Sequence, residues 1–69
     1  MTVTPIKRTA MRIKSLRDAR AFSQEELVER AGISRGYLAR LETARQDPTL
    51  TTLEKLAKVL GVKVGRLLE

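Results

Sequence analysis

The stretch "FSQEELVERAGISRGYLARLE", residues 22–42, decides the fold of this chain. Its first letters contain a capping box, because Ser23 is followed three residues later by Glu26. Phe22 lies before the cap and Leu27 beyond it, and such an apolar pair forms a hydrophobic staple at the start of a helix. Together these signals predict a helix that begins at Ser23.

The end of this helix and the start of the next one lie close together in the sequence. Gly32 can supply the left-handed residue that ends a helix, and Ser34 can cap the helix that follows. Only Gly32 and Ile33 lie between the helix that begins at Ser23 and the cap of the next helix, Ser34. Two helices joined by so short a turn must cross at a large angle. Residues 23–44 are therefore predicted to form a helix-turn-helix.

A further helix precedes this unit. Thr4 can cap it, with Pro5 at the first helical position, where a missing backbone N–H costs nothing. Thr9 is an alternative start. The apolar residues that recur at helical spacing are Ile6, Ala10, Ile13 and Leu16.

Two more helices follow the helix-turn-helix. Pro48 breaks the chain, Thr49 can cap the fourth helix, and Gly61 can end it. A weaker cap at Lys63 begins a short fifth helix. The apolar stripe of the fourth helix is Leu50, Leu53, Leu56, Ala57 and Leu60, and the fifth helix offers Val64, Leu67 and Leu68 to close the core. The prediction is one all-α domain, residues 1–69, built as a compact five-helix bundle.

The composition excludes several kinds of site. The 69 residues contain no cysteine and no histidine, which excludes disulfides and thiolate metal sites and removes the commonest general base. We therefore expect no metal, no cofactor and no catalytic residue. No apolar run approaches the ~20 residues of a membrane span, and the first residues lack the apolar block of a signal peptide. A soluble cytoplasmic protein without a membrane partner is the expectation.

The charge of the chain is positive and uneven. The formal net charge is +6, and residues 1–20 hold six basic residues but a single acidic one. A basic surface of this kind suits a polyanion such as nucleic acid. A charge excess that only keeps the protein soluble explains the same numbers equally well.

The outward face of the predicted third helix combines arginines with very small residues. At 100° per residue, Leu38 and Leu41 lie about 300° and 240° from Arg35 and would face the core. The residues on the opposite face are Arg35, Gly36, Ala39 and Arg40. Arginine can pair with O6 and N7 of guanine in the major groove, and small residues let a helix approach the bases. The alternative is a tolerated surface glycine between solvated arginines.

From "SQEEL" onward the sequence resembles a known family. A glycine turn follows, then "LE" at the end of the third helix, a Pro-Thr cap and "LEKLAKVLGV". This combination is similar to the Cro/cI-type (XRE-like) helix-turn-helix domain of phage repressors and bacterial regulators, over residues 12–69. The resemblance implies a lambda-repressor-like five-helix domain that binds double-stranded operator DNA, usually as a homodimer. "SRGYL" is also similar to the Arg-x-Tyr pattern of restriction–modification controller proteins.

The resemblance also implies roles for individual residues. The recognition helix, residues 34–44, would lie in the major groove. The residues that would face the bases are Arg35, Gly36 and Arg40. The residues that would contact the DNA backbone are Gln24, Ser34, Tyr37, Thr43, Arg45 and Gln46. Arg17 and Glu42 would form a structural ion pair between the first and third helices.

Two positions in and after the recognition helix allow alternatives. Ala44 stands where the family usually has a glycine. It either bears left-handed strain of roughly 1 kcal/mol, or the loop takes another path. Tyr37 lies at the boundary between the two faces, so it can be a half-buried packing residue as well as a DNA contact.

Dimerisation is expected through the C-terminal part of the chain. A single short recognition helix reads only a few base pairs, and two-fold pairing doubles the site. The apolar residues left after the core is filled are Val62, Val64 and Leu67.

Two other classes of function fit the sequence less well. An enzyme without histidine or cysteine would need carboxylates or a Ser–Lys pair in a cleft. So few helices are not expected to enclose a pocket of ordinary size, and no small-molecule ligand is evident. An antitoxin or a protein-bridging module is the remaining alternative. Such a module has no need for two arginines beside Gly36, and we expect no toxin-binding segment after the fifth helix.

Overall fold

Five α-helices joined by short turns form the part of the chain that the computed structural model describes, residues 4–69. They are α1 (Pro5–Ala19), α2 (Gln24–Ala31), α3 (Arg35–Glu42), α4 (Leu50–Leu60) and α5 (Val64–Leu68). The predicted all-α, five-helix architecture is confirmed, and α2 and α3 form the predicted helix-turn-helix. Residues 1–3 of the predicted domain lie outside the described residues.

Side-chain caps begin four of the five helices, at residues that the sequence indicates. Thr4 Oγ1 accepts a hydrogen bond from the Lys7 backbone N–H at 3.3 Å, so α1 begins there, and Thr9 lies buried inside the helix. Ser23 and Glu26 make both reciprocal bonds of the capping box, each at 3.0 Å. The N–H that Ser23 donates to its carboxylate lowers the pKa of Glu26 below its ordinary value.

Four of the described residues have left-handed backbone conformations, which strain an alanine but not a glycine. Gly32 (φ 71°) ends α2 and Gly61 (φ 72°) ends α4, as predicted. Ala44, after α3, has φ 59°, so it bears the strain that was one of its two alternatives. Ala21, between α1 and α2, has φ 58°, which no sequence signal indicates.

The core draws buried side chains from all five helices. Its largest fully buried side chains are Ile13, Leu27, Leu38, Leu41, Leu56, Leu60 and Leu67. The helix α3 packs against α1 and α2, whereas α5 packs against α1 and α4. The residues of α3 that stay exposed are Arg35, Gly36 and Arg40.

Two leucines lie elsewhere than the apolar pattern predicts. Leu50, predicted on the buried stripe of α4, is 60% exposed. It is the first residue of α4, and helical side chains tilt toward the N-terminus, so Leu50 projects beyond the edge of the core. Leu68, predicted together with Leu67 to close the core, is 53% exposed, because the register of α5 turns only Leu67 of these two leucines inward.

Arg20 links the end of α1 to the end of α4. Its Nε donates to the Leu60 carbonyl at 2.7 Å. The last carbonyls of a helix have no partner within the helix, so this side chain satisfies one that would otherwise need water. The bond joins residues 40 positions apart, and no local pattern predicts it.

Two kinds of feature are absent from residues 4–69. No helix in this range is both long enough and apolar enough to cross a lipid bilayer. Within the same residues, no three His, Cys, Asp or Glu side chains lie together so that they could hold a metal ion.

Candidate nucleic-acid interface

The helix α3 presents an apolar face to the core and a polar face to solvent. Leu38 and Leu41 are buried, whereas Arg35, Gly36 and Arg40 are exposed. The structure thus brings the three residues expected to face DNA bases onto one exposed surface. We term these three residues the arginine face.

The two arginines of this face differ in their surroundings. Arg40 Nε donates to Gln46 Oε1 at 3.5 Å, and the guanidinium carbon lies 5.9 Å from the centre of the Tyr37 ring. Arg35 has no side-chain hydrogen bond or ion pair with any residue of the described range 4–69. Within this range, none of the five N–H donors of Arg35 is used.

Tyr37 packs against the protein and also reaches its surface. The side chain is half-buried, and its hydroxyl donates to Thr52 Oγ1 at 3.5 Å. The Tyr37 backbone N–H donates to Ser34 Oγ at 3.1 Å, which caps α3. The packing alternative for Tyr37 is therefore realised, and the Ser34 hydroxyl still has a proton to donate.

A largely buried ion pair joins α1 to the end of α3. Arg17 Nε donates to Glu42 Oε2 at 2.7 Å, and Arg17 Nη2 donates to Glu42 Oε1 at 3.1 Å, which is the bidentate geometry of strong pairs. The two side chains are only 11% and 4% exposed. The hydrogen bonds to Glu42 raise the pKa of the Arg17 guanidinium. The two residues expected to pair are thus in direct contact.

Gln24, the first residue of α2, joins this pair. Its amide Nε2 donates to Glu42 Oε1 at 3.0 Å, so Glu42 binds side chains of both α1 and α2. Sequence reasoning assigned Gln24 to a DNA phosphate and missed this bond, because no local pattern signals a contact over 18 positions. One amide N–H is still free. We term Arg17, Glu42 and Gln24 the inner cluster.

The loop after α3 contains three of the expected DNA-backbone contacts. Thr43 Oγ1 donates to the Ala39 carbonyl at 2.9 Å, so its proton is already used within the helix. Gln46 Oε1 is occupied by Arg40. Arg45 is exposed and is the one cation of the three.

The C-terminal residues expected at a dimer interface do not all lie at the surface. Val62 and Val64 are half-buried and belong to the lining of a shallow groove. Leu67 is fully buried, so its assignment to an interface is wrong. The short helix α5 packs against both α1 and α4, and Leu67 is the side chain that it inserts into the core.

Known proteins share both this fold and much of this sequence. Residues 13–67 match a family model described as "Helix-turn-helix". The immunity repressor protein of Bacillus phage phi105 is 46% identical over 54 residues, which make up 78% of this chain and 38% of the repressor. The chain spans between 38% and 61% of the length of three curated relatives that it matches.

Solved structures agree with the sequence relatives. The restriction-modification controller protein C.AhdI from Aeromonas hydrophila superposes with a TM-score of 0.87 at 29% identity, covering 90% of this chain and 94% of the controller. SinR, the master regulator for biofilm formation, in complex with DNA gives a TM-score of 0.85 at 39% identity, over 88% of this chain and 98% of that one. With most of its residues matched by the family model, this chain belongs to the helix-turn-helix family.

Proposed function

We propose that this chain binds double-stranded DNA sequence-specifically, with α3 in the major groove, and that it regulates transcription. The observation that carries the proposal is the arginine face, which sets two arginines beside a glycine on the exposed side of α3. In a helix-turn-helix, the second helix is the one that enters the major groove. Relatives named as a repressor, as a controller protein and as a regulator in complex with DNA support this reading.

Base recognition would begin at Arg35. Residues near the N-terminus of a recognition helix meet the base edges, and Arg35 is the first residue of α3. A guanidinium pairs in a bidentate manner with O6 and N7 of guanine, and each such pair discriminates against a wrong base by about 1–3 kcal/mol. Gly36, the next residue, has no side chain to keep the helix backbone away from the groove.

The DNA backbone would be held at the ends of these helices. The free amide N–H of Gln24 and the first backbone N–H groups of α2 can donate to a phosphate, and the Ser34 hydroxyl can do so at α3. Glu25 and Glu26 lie in the first turn of α2, so a phosphate there depends on N–H donors rather than on net charge. Arg45 would hold the opposite DNA strand.

A homodimer would double the length of DNA that is read. Two recognition helices would then meet half-sites about one helical turn, ~34 Å, apart. Val62 and Val64 remain the interface candidates, and the exposed Leu68 takes the place of Leu67. Light scattering with and without DNA measures the oligomeric state of the chain. A monomer at every concentration, in both conditions, would contradict the proposed homodimer.

Selection of binding sites from a random duplex pool tests the proposal as a whole. With roughly four phosphate contacts per subunit, a dimer is expected to show a log–log salt slope of about −7. An enriched sequence together with a steep slope supports sequence-specific binding. A chain that enriches no sequence and shows a slope near zero would contradict it and would favour the antitoxin or protein-bridging alternative.

A further inference from the structure

Gly36 lies one helical turn before Arg40, so the two residues share one side of α3. Long side chains in a helix lean toward its N-terminus, and Arg40 accordingly extends over position 36. A Cβ atom placed on Gly36 would lie 3.5 Å from Arg40 Nη1. The glycine therefore leaves open space directly beneath the guanidinium.

Two further side chains flank the same guanidinium. Gln46 Oε1 accepts from Arg40 Nε at 3.5 Å, which is the long limit of a hydrogen bond. The Tyr37 ring lies 5.9 Å from the guanidinium carbon, within the range of a cation–π contact. Tyr37 is itself tied to α4 through the bond from its hydroxyl to Thr52. The four N–H groups on the two Nη atoms remain unused by this arrangement.

We propose that Tyr37 and Gln46 hold Arg40 in place over the open space at Gly36 before DNA binds, and that Arg40 thereby determines specificity at one base pair. The inference rests on the DNA binding proposed above. Gln46 is then a positioning residue for Arg40 and not a phosphate contact. A side chain that is ordered before binding loses less conformational freedom in the complex. Arg35 has no such hydrogen bond or ring contact among residues 4–69, so it would lose more conformational freedom than Arg40 on binding DNA.

A double-mutant cycle on the selected operator tests the role of Gln46. We expect Gln46→Ala to weaken binding by about three- to tenfold in the wild-type protein and to have no further effect in the Arg40→Ala background. Gln46→Ala and Arg40→Ala should lose base preference at the same position, while Gln46→Ala keeps the wild-type salt slope. The proposal would be overturned if Gln46→Ala lowered operator affinity equally in the wild-type and Arg40→Ala backgrounds and reduced the salt slope by about one. Gln46 would then hold a phosphate.

Two substitutions at Gly36 test the space beneath the guanidinium. A methyl group 3.5 Å from Nη1 makes an ordinary contact, so Gly36→Ala should keep the base preference that depends on Arg40. Gly36→Leu should displace the guanidinium of Arg40 and show the same base preference as Arg40→Ala. Thermal melts are the control that both Gly36 variants fold. A Gly36→Leu variant with wild-type preference would overturn the proposal.

The wild-type protein and Arg40→Ala separate this inference from the proposed function. A wild-type chain that enriches no duplex contradicts the proposed function, and the inference fails with it. Enrichment by the wild type, with the same affinity and the same selected sequence for Arg40→Ala, leaves DNA binding intact and overturns the inference alone.

Discussion

The inner cluster and the arginine face both depend on arginines, and the surroundings of those arginines differ. Arg17 is largely buried and meets a carboxylate at 2.7 and 3.1 Å. Arg40 is exposed and has neutral partners, the nearest at 3.5 Å. The first arginine has its charge neutralised inside the protein, whereas the second keeps its charge and most of its donors. The position of the acid, rather than the residue type, therefore separates an arginine that holds the fold from one that can bind a ligand.

Removal of the acid from the inner cluster has the largest expected effect. Glu42→Ala removes the carboxylate that binds the mostly buried Arg17 in a bidentate manner and takes the acceptor from Gln24, so that the exposed Asp18 is the one carboxylate left near Arg17 among residues 4–69. We expect the free energy of unfolding, measured by urea denaturation, to fall by about 3 kcal/mol.

Asp18→Ala is the matched control for that substitution. Asp18 also lies near Arg17, at 3.4 Å, but its side chain is 61% exposed. Exposed pairs contribute little, so this variant should change the free energy of unfolding by less than about 0.5 kcal/mol. If Glu42→Ala and Asp18→Ala lower the free energy of unfolding equally, the buried carboxylate is not what distinguishes Arg17 from the exposed arginines of α3.

On the arginine face, Arg35→Ala should leave stability unchanged and affect binding instead. We expect a loss of about 1–3 kcal/mol in operator affinity per half-site and a relaxed preference at one base pair. Arg45→Ala is the comparison, because a phosphate contact weakens binding to all duplexes alike and lowers the salt slope by about one. Titrations with selected and random duplexes measure both. The same selected sequence for wild type and Arg35→Ala would show that Arg35 reads no base.

The sequence predicts the local features of this fold well, for a physical reason. The caps at Ser23 and Thr49 and the left-handed residues Gly32 and Gly61 depend on bonds within a few positions. Such bonds follow from residue type and spacing alone. The apolar periodicity likewise places Leu38 and Leu41 in the core.

Features that depend on packing between helices could not be predicted from residue type and spacing in the same way. The bond from Gln24 to Glu42 and the contact of Gln46 with Arg40 join side chains whose meeting depends on the paths of α2, α3 and the loop. The exposure of Leu68 and the burial of Leu67, which excludes Leu67 from an interface, have a similar cause. A helix of five residues has too little periodicity to define its buried face before its neighbours are known.

Ala44 lies two residues beyond the end of α3 and just before Arg45, in a left-handed conformation. Ala44→Gly should relieve about 1–2 kcal/mol of backbone strain and lose part of that gain to a more flexible unfolded chain, for a net stabilisation of about 0.5–1 kcal/mol. Ala19→Gly is the matched control, because Ala19 is exposed and helical and should lose up to about 1 kcal/mol. If thermal melts show that Ala44→Gly destabilises the protein as Ala19→Gly does, residue 44 bears no strain.

The smallest expected effect concerns the cap of α2, the helix that supplies Gln24 to the inner cluster. The Ser23 N–H lowers the folded-state pKa of Glu26, so the ionised carboxylate stabilises the folded state at pH values above the ordinary pKa that this carboxyl has in the unfolded chain. This stabilisation should disappear as the pH falls from that value through the lowered folded pKa. Glu26→Gln keeps an oxygen that can accept from Ser23 but does not titrate.

The difference in unfolding free energy between the wild type and Glu26→Gln therefore isolates this one carboxylate from all others that titrate in acid. We expect the difference to be constant at neutral pH and to shift against the wild type as the solution is acidified, when measured by urea denaturation at a series of pH values. A difference that stays the same down to the acid limit would show that the capping box does not depend on the charge of Glu26. Hydrogen bonds that do not need a charged carboxylate would then be enough to hold the first turn of α2, from which Gln24 reaches Glu42.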